Sequence, residues 1–299
     1  IPGIGNSAGN AGIMGLGTRS DRFWNGRWRG PPRDGAGAAV RVGRGNGRPG
    51  GTPARRQALR YAIISDIHAN IDALNAVLKR IDDIGVDRTV CLGDVVGYNA
   101  TPNECIDLIA ERNILAILGN HDAVACGLEE PWGFNPVALA AAIWTRDQLS
   151  DDAVEWLQNL PDALNFGEFV AVHGAPKNHN TYIFTWEDVI PHLPFLDEQN
   201  CRLCFIGHTH TPVILCPRGT YAVNESNPFP VDAEEALFIN PGSVGQPRDD
   251  DPRASFGVLD TEKKTFKLER VVYPVVEAAK RILEARLPSF LADRLVIGK

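Results

Sequence analysis

The chain has no run of about 18 apolar residues, which excludes an ordinary membrane-spanning helix. No basic segment leads into an apolar stretch with a cleavage site, so no secretory leader is expected. Cysteine is sparse. Six in 299 residues, with Cys91, Cys105 and Cys204 inside apolar runs, do not make a disulfide framework. Cytoplasm is the expected compartment. Positive charge is not in excess either. A net charge of −7 argues against a dedicated nucleic-acid binder, and stable nucleic-acid binding is not expected. Nothing in the sequence sets the oligomeric state. What is present is 44% apolar and 22% charged residues, enough for a sizeable core.

The first sixty residues are of another material. They hold 15 of the 29 glycines, eleven arginines, two acidic residues and no lysine. That makes them near +9, leaving about −16 for the rest (−7 minus +9). No apolar period persists there, so residues 1–58 are expected to be a disordered Arg/Gly-rich segment. An Arg/Gly tail that touches RNA is one reading. The composition favours another, a stretch outside the working protein, as GC-rich DNA encodes when read without selection for folding. The folded domain is expected over 59–299.

From Arg60 onward, strand and helix alternate. RYAIIS (60–65), RTVCLG (88–93) and ILAILG (114–119) are short apolar runs that predict buried strands. Between them, residues 70–85 carry Ile71, Leu74, Val77, Leu78 and Ile81 at helical spacing, with Asn70 and Gly85 as caps. Thr101-Pro102-Asn103-Glu104 predicts a capping box opening a second helix. Such an order implies parallel strands covered by helices, hence an α/β fold. Two helical patches, 135–149 and 150–160, follow. Further strands are expected at 167–174, 202–207, 212–216, near Tyr221 and at 236–240, with a hairpin over about 255–271. A helical tail spans 275–299. The insertion 127–165 is expected to form a small helical cap.

Histidine is scarce, at seven, yet five of the seven fall where an apolar run stops. Asp66-Ile67-His68 follows the first run and Asp94 the second. Asn120-His121-Asp122 follows the third, His173 the fourth, and His208-Thr209-His210 the fifth. In open α/β sheets ligands sit beyond the carboxyl ends of strands, so these side chains are expected on one rim. Asp66 and His68 share a face if the backbone is extended, as do His208 and His210. Gly93, Gly119 and Gly207 precede three of the sites and are expected to let the backbone turn tightly and to leave room for a phosphate. Besides His121 the set has two aspartates, one asparagine and four histidines. That is too many ligands for one tetrahedral zinc. It suits two divalent ions with mixed oxygen and nitrogen ligands, Mn²⁺ foremost, with Fe, Ni, Co or Zn as alternatives.

DIH, GDVVGY, GNHD, HG and GHTH, in this order, resemble the calcineurin-like metallophosphoesterase superfamily. RYAIISDIHAN and NPGSVGQPRDDDPRASFGVLD are similar to its compact bacterial branch of phosphodiesterases and diadenosine-tetraphosphatase-like proteins. The resemblance implies two facing β-sheets flanked by helices, a four-layer α/β sandwich. It implies that Asp66, His68 and His210 hold one metal, that Asn120, His173 and His208 hold another, and that Asp94 bridges them. A hydroxide shared by the metals would attack phosphorus. His121 would act as acid near the leaving group, oriented by Asp122. The expected substrate is a small phosphodiester, nucleotide or phosphomonoester. The alternatives are a phosphoprotein, a dinucleoside polyphosphate, or no reaction at all on a metal-binding scaffold. Asn135, Arg146 and Arg248 are candidate substrate contacts by position. The Asp249–Asp251 run is expected to be a solvated charge cluster, and Cys201 and Cys204 core rather than zinc ligands.

Overall fold

The structure is a computed structural model that describes residues 39–42, 58–231 and 234–299. Its elements are β1 (Val40–Arg41), β2 (Arg60–Ile64), α1 (Ile71–Ile84), β3 (Arg88–Cys91), α2 (Pro102–Glu111), β4 (Leu115–Ala116), α3 (Asn120–Ala125), α4 (Pro136–Gln148) and α5 (Asp151–Gln158). They continue with β5 (Ala163–Asn165), β6 (Val170–Val172), α6 (Trp186–Val189), α7 (Leu193–Glu198), β7 (Leu203–Phe205), β8 (Val213–Cys216), β9 (Gly219–Ala222) and β10 (Phe229–Pro230). The chain then passes through β11 (Leu237–Asn240), β12 (Ala254–Asp260), β13 (Thr265–Val271), α8 (Val275–Glu284) and α9 (Ser289–Ile297).

The strands form two sheets, ordered β1-β5-β6-β7-β11-β8-β9 and β10-β13-β12-β2-β3-β4. β2, β3 and β4 are parallel, joined by α1 and α2, while β12 runs antiparallel to β2. Alternation along each strand feeds two cores at once. Tyr61 and Ile63 of β2 enter the core between the sheets, with Phe169, Phe205 and Ile239 opposite. Ala62 and Ile64 face the other way, into a core shared with α1, α2, α4, α5, α8 and α9. Cys204, Leu215 and Phe238 face α6 and α7 on the far side of the larger sheet. Layers therefore run helix, sheet, sheet, helix. Strands buried on both faces must be apolar throughout, which is why the runs show no period of two.

Local chemistry accounts for the element ends. Asn70 Oδ1 accepts from Ala73 N at 3.1 Å, and Gly85, at φ 70°, closes α1. The expected capping box of α2 does not form. Thr101 Oγ1 donates instead to Ala69 O (2.6 Å) and accepts from Ile71 N (3.2 Å), tying α2 to the loop after β2. The 127–165 insertion also differs from expectation. Its last residues are β5, a strand of the larger sheet. Ala138, Ala141, Trp156 and Leu157 bury α4 and α5 in the helical layer instead of leaving them free as a lid. Of the segment 1–58, only residues 39–42 and 58 are described. β1 pairs Val40 with Leu164, and the rest of the expected disordered segment lies outside the described residues. No helix among the described residues is long and apolar enough to cross a membrane.

Candidate metal centre

Five strand ends meet where the parallel strands of the two sheets abut. β2 supplies Asp66 and His68, β3 Asp94, β4 Asn120 and His121, β6 His173, and β7 His208 and His210. Backbone bonds stitch the loops together: Asp66 N to Gly93 O (3.1 Å), His68 N to Asp94 O (2.9 Å) and Gly207 N to His173 O (2.6 Å). All eight side chains are buried.

Extended backbone does not bring the paired residues together. Asp66, His68, Asp94, His208 and His210 all have positive φ, between 48° and 69°. L-residues pay about 1–3 kcal/mol each for such conformations, and strain of this kind collects at functional sites. Gly93 turns tightly as expected, at φ 92°, but the glycines also serve close packing. A Cβ on Gly119 would stand 2.1 Å from Asp94 Oδ1, and one on Gly207 would stand 2.1 Å from Ser65 Oγ. Protein fills the space that a phosphate was expected to use.

The imidazoles are held in one sense. His68 Nδ1 lies 3.1 Å from Val96 O, His173 Nδ1 2.8 Å from Leu92 O, and His210 Nδ1 2.6 Å from Gln246 O. Only a protonated Nδ1 satisfies a carbonyl, so each Nε2 turns inward as a potential ligand atom. Two groups result. Asp66, His68, Asp94 and His210 form one, and Asp94, His173 and His208 the other, each with ligand atoms within 4.8 Å of one another. Asp94 belongs to both, with Oδ2 3.5 Å from His68 Nε2 and 3.2 Å from His173 Nε2. Asn120 Oδ1 sits 3.2 Å from His173 Nε2.

Protonation follows from burial and charge. Burial lowers His68 and His210, and takes His208 down to about 3 with help from the His173 charge. Burial opposes protonation of His173 too, but the Asp94 carboxylate outweighs it and raises His173 to about 9. Burial works against ionised Asp94, yet the charges of His173 and His121 hold it well below the usual range. His208 Nε2 is buried with no hydrogen-bond partner among the described residues. Unpaired ring nitrogens facing buried carboxylates are costly on their own, and hard-to-intermediate divalent cations satisfy both at once. The donor set fits such ions.

His121 stands beside the two groups. Its ring packs against His68 (4.9 Å), Tyr98 (4.4 Å) and Phe134 (4.7 Å). Burial takes it down to about 4, against the opposing charge of Asp94. Asp122 does not orient it. No hydrogen bond joins the two among the described residues, and Asp122 accepts instead from Val96 N (3.0 Å) and Gly119 N (3.1 Å). Its carboxyl locks the turn of α3 onto the loop after β3, and burial pushes it up to about 7.

Two of the candidate substrate contacts have partners within the protein. Asn135 caps α4, accepting from Val137 N and Ala138 N, and Arg146 holds Val124 O at 2.5 Å. The 127–165 segment reaches the site through Phe134. Arg248 does lie at the rim, its guanidinium 5.7 Å from the Tyr98 ring centre. Its neighbours Asp249 and Asp251 are ion-paired to Arg270 and Arg253, and Asp250 to Lys299, so that run is not simply solvated. Cys201 and Cys204 are buried.

Sequence reasoning missed the supporting residues. Asn240 Nδ2 donates to Gly207 O (2.7 Å) and Thr209 Oγ1 (2.9 Å), and Ser243 Oγ donates to Asp66 O (2.8 Å). The NPGS turn was legible only as a turn. Tyr98 was visible in GDVVGY, but nothing local showed that it touches three imidazoles.

Comparison with known proteins agrees with this geometry. The profile of the calcineurin-like phosphoesterase superfamily domain matches residues 59–264. An uncharacterized protein of Methanocaldococcus jannaschii is 37% identical over 246 residues, spanning 80% of this chain and 98% of its own. A metallophosphoesterase crystal structure from Sphaerobacter thermophilus is 35% identical with a TM-score of 0.72, covering 81% of this chain and all of its own. A symmetrical bis(5'-nucleosyl)-tetraphosphatase of a Janthinobacterium species is 32% identical over 124 residues, 38% of this chain and 43% of its own.

Proposed function

The chain belongs to the calcineurin-like phosphoesterase superfamily, a family of hydrolases of phosphate esters that use divalent metal, and on that footing we propose that it cleaves a small phosphodiester, nucleotide or phosphomonoester at a two-ion centre. Asp66, His68 and His210 would hold one ion, Asn120, His173 and His208 the other, and Asp94 both. Mn²⁺ is the metal proposed, with Fe, Ni, Co and Zn as alternatives that mixed carboxylate and imidazole ligands also suit. The observation that carries this is three imidazoles pinned through Nδ1 to backbone carbonyls, whose Nε2 atoms converge on two carboxylates.

Divalent ions supply Lewis acidity, neutralise charge on the ester, and lower the pKa of water that attacks phosphorus. Water adds to phosphorus, the ester P–O bond breaks, and the alkoxide leaves with a proton. We assign delivery of that proton to His121, a reading supported by its ring packing against His68 beside the two groups. Burial keeps it neutral without substrate, at about 4. An anionic phosphate beside the ring favours the protonated form. Asp122 contributes by position, holding the first turn of α3 that carries His121. Arg248 offers a cation at the rim for a substrate phosphate. The partial likeness to a bis(5'-nucleosyl)-tetraphosphatase supports nucleotides within the substrate class.

The test is reconstitution. Metal-free chain would be loaded with Mn²⁺, Fe²⁺, Ni²⁺, Co²⁺ or Zn²⁺ and assayed on bis-p-nitrophenyl phosphate and p-nitrophenyl phosphate. Hydrolysis should return with metal and vanish in Asp94→Asn. No turnover with any ion would reject the proposal in favour of a binding scaffold.

A further inference from the structure

Two exposed rings beside the centre have no part in the chemistry above. Residues 181–184 run without helix or strand, and exposure alternates along them: Tyr182 47%, Ile183 1%, Phe184 56%. Ile183 is buried among Val170, Val189 and Phe195 on the outer face of the larger sheet. With Ile183 anchored inward, its two neighbours stand outward.

Both ends of this stretch are tied. Ala175 N donates to Thr181 O at 3.1 Å, and a Cβ on Gly174 would stand 2.7 Å from that same oxygen. Downstream, Asp188 Oδ2 accepts from Phe184 N (3.0 Å) and Thr185 N (2.9 Å) in the capping box of α6. The rings therefore stand on a fixed backbone.

Their arrangement points at the centre. Tyr182 stacks on His208 with ring centres 3.9 Å apart and planes 24° apart. Phe184 lies parallel to Tyr182 at 5.5 Å and 9°. Three rings thus run from a ligand of the centre out to solvent. The rim nearby is cationic. Arg248 has no carboxylate in ion-pair range among the described residues, and its Nε is buried without a hydrogen-bond partner. Arg294 of α9 lies close enough to interact electrostatically with Arg248. Flat apolar rings continuous with a phosphate-handling centre, under a cationic rim, match a nucleobase joined to phosphate.

We propose that Tyr182 and Phe184 form the base-stacking platform of the site, so that the substrate is a nucleoside phosphate ester whose phosphate lies at the metal centre. The platform narrows the substrate class proposed above and rests on that reading.

The test separates the two. Binding of AMP and of ribose 5-phosphate to the intact chain would be measured by calorimetry with no turnover involved. The wild type should prefer AMP by about 10-fold, within the range of a single base–aromatic stack. Phe184→Ala should remove that preference, and Tyr182→Phe should keep it. Val276→Ala, an exposed apolar residue of α8, serves as the control. Equal affinity for the two ligands in wild type, no binding of either, or an undiminished AMP preference in both Phe184→Ala and Tyr182→Leu would overturn the platform. Absence of hydrolysis with every metal would instead remove the phosphoesterase proposal, leaving the base preference to be judged by its own measurement. In a loaded enzyme, the kcat/KM ratio for thymidine 5'-(p-nitrophenyl phosphate) over methyl p-nitrophenyl phosphate should fall about 10-fold in Phe184→Ala. A phosphopeptide hydrolysed faster than either ester would also count against a base platform.

Discussion

The Nε2 nitrogens of His68 and His210 stand 3.0 Å apart although 142 residues separate them in the chain. Each ring gives its Nδ1 proton to a carbonyl, so two lone pairs face one another beside Asp66 and Asp94. Buried opposition of this kind is relieved by a cation.

Metal should therefore stabilise the fold. With Mn²⁺ at about 100 times its Kd, linkage adds about 2.7 kcal/mol. For a chain of this size that raises Tm by roughly 5–10 °C over the chelator-treated protein. Calorimetric scans with and without EDTA check it. Identical melting curves at saturating Mn²⁺, Ni²⁺ and Zn²⁺ would dispose of a metal centre.

Metal binding should also release a proton at neutral pH. His173, raised to about 9 by Asp94, is charged at pH 7 without metal, and a ligand imidazole must be neutral. Affinity should fall about tenfold per pH unit as pH drops from 8 to 6.5. The sign for folding is the reverse. The raised pKa stabilises the metal-free fold fully below the unfolded value of about 6.5, and that stability is lost as pH rises through about 9. Titration calorimetry in two buffers of different ionisation enthalpy counts the protons, and a count of zero contradicts this.

His121→Ala should show its cost through the leaving group. With an alkoxide leaving group kcat should fall about 10²–10⁴-fold, and with p-nitrophenolate, which leaves unaided, by much less. Metal content by elemental analysis should not change. Equal losses on both esters would assign His121 a role other than proton donor.

Gly119→Ala should damage the centre without adding any charge. Its Cβ would meet Asp94 Oδ1 at 2.1 Å and Asp94 N at 2.2 Å, so the shared carboxylate must move. Overpacking of this sort costs about 1–3 kcal/mol in stability. Loss of bound metal and a lowered urea midpoint are expected together. A variant with full metal content and unaltered stability would show that the two loops can part freely.

Much of the architecture was legible because it is local. Leu74, Val77, Leu78 and Ile81 define the buried face of α1 from spacing alone, and Asn70 and Gly85 cap it as read. The failures come from competition between partners. Thr101 had the right neighbours for a capping box, but a nearer acceptor, Ala69 O, takes its hydroxyl. Asn135 and Arg146 lay beside the site in sequence, yet the ends of α4 and α3 claim them. Asp122 was adjacent to His121, and backbone N–H groups from another loop reach its carboxyl first.

The sequence by itself determined which side chains stand at the ends of the buried runs, because strand length and ligand type are properties of neighbouring residues. Tertiary structure alone decided which nitrogen of each imidazole faces inward, that five of the site residues adopt left-handed backbone, and that Tyr182 lies on His208. Those depend on carbonyls, loops and rings brought from distant parts of the chain, and no local pattern encodes which of several possible partners arrives.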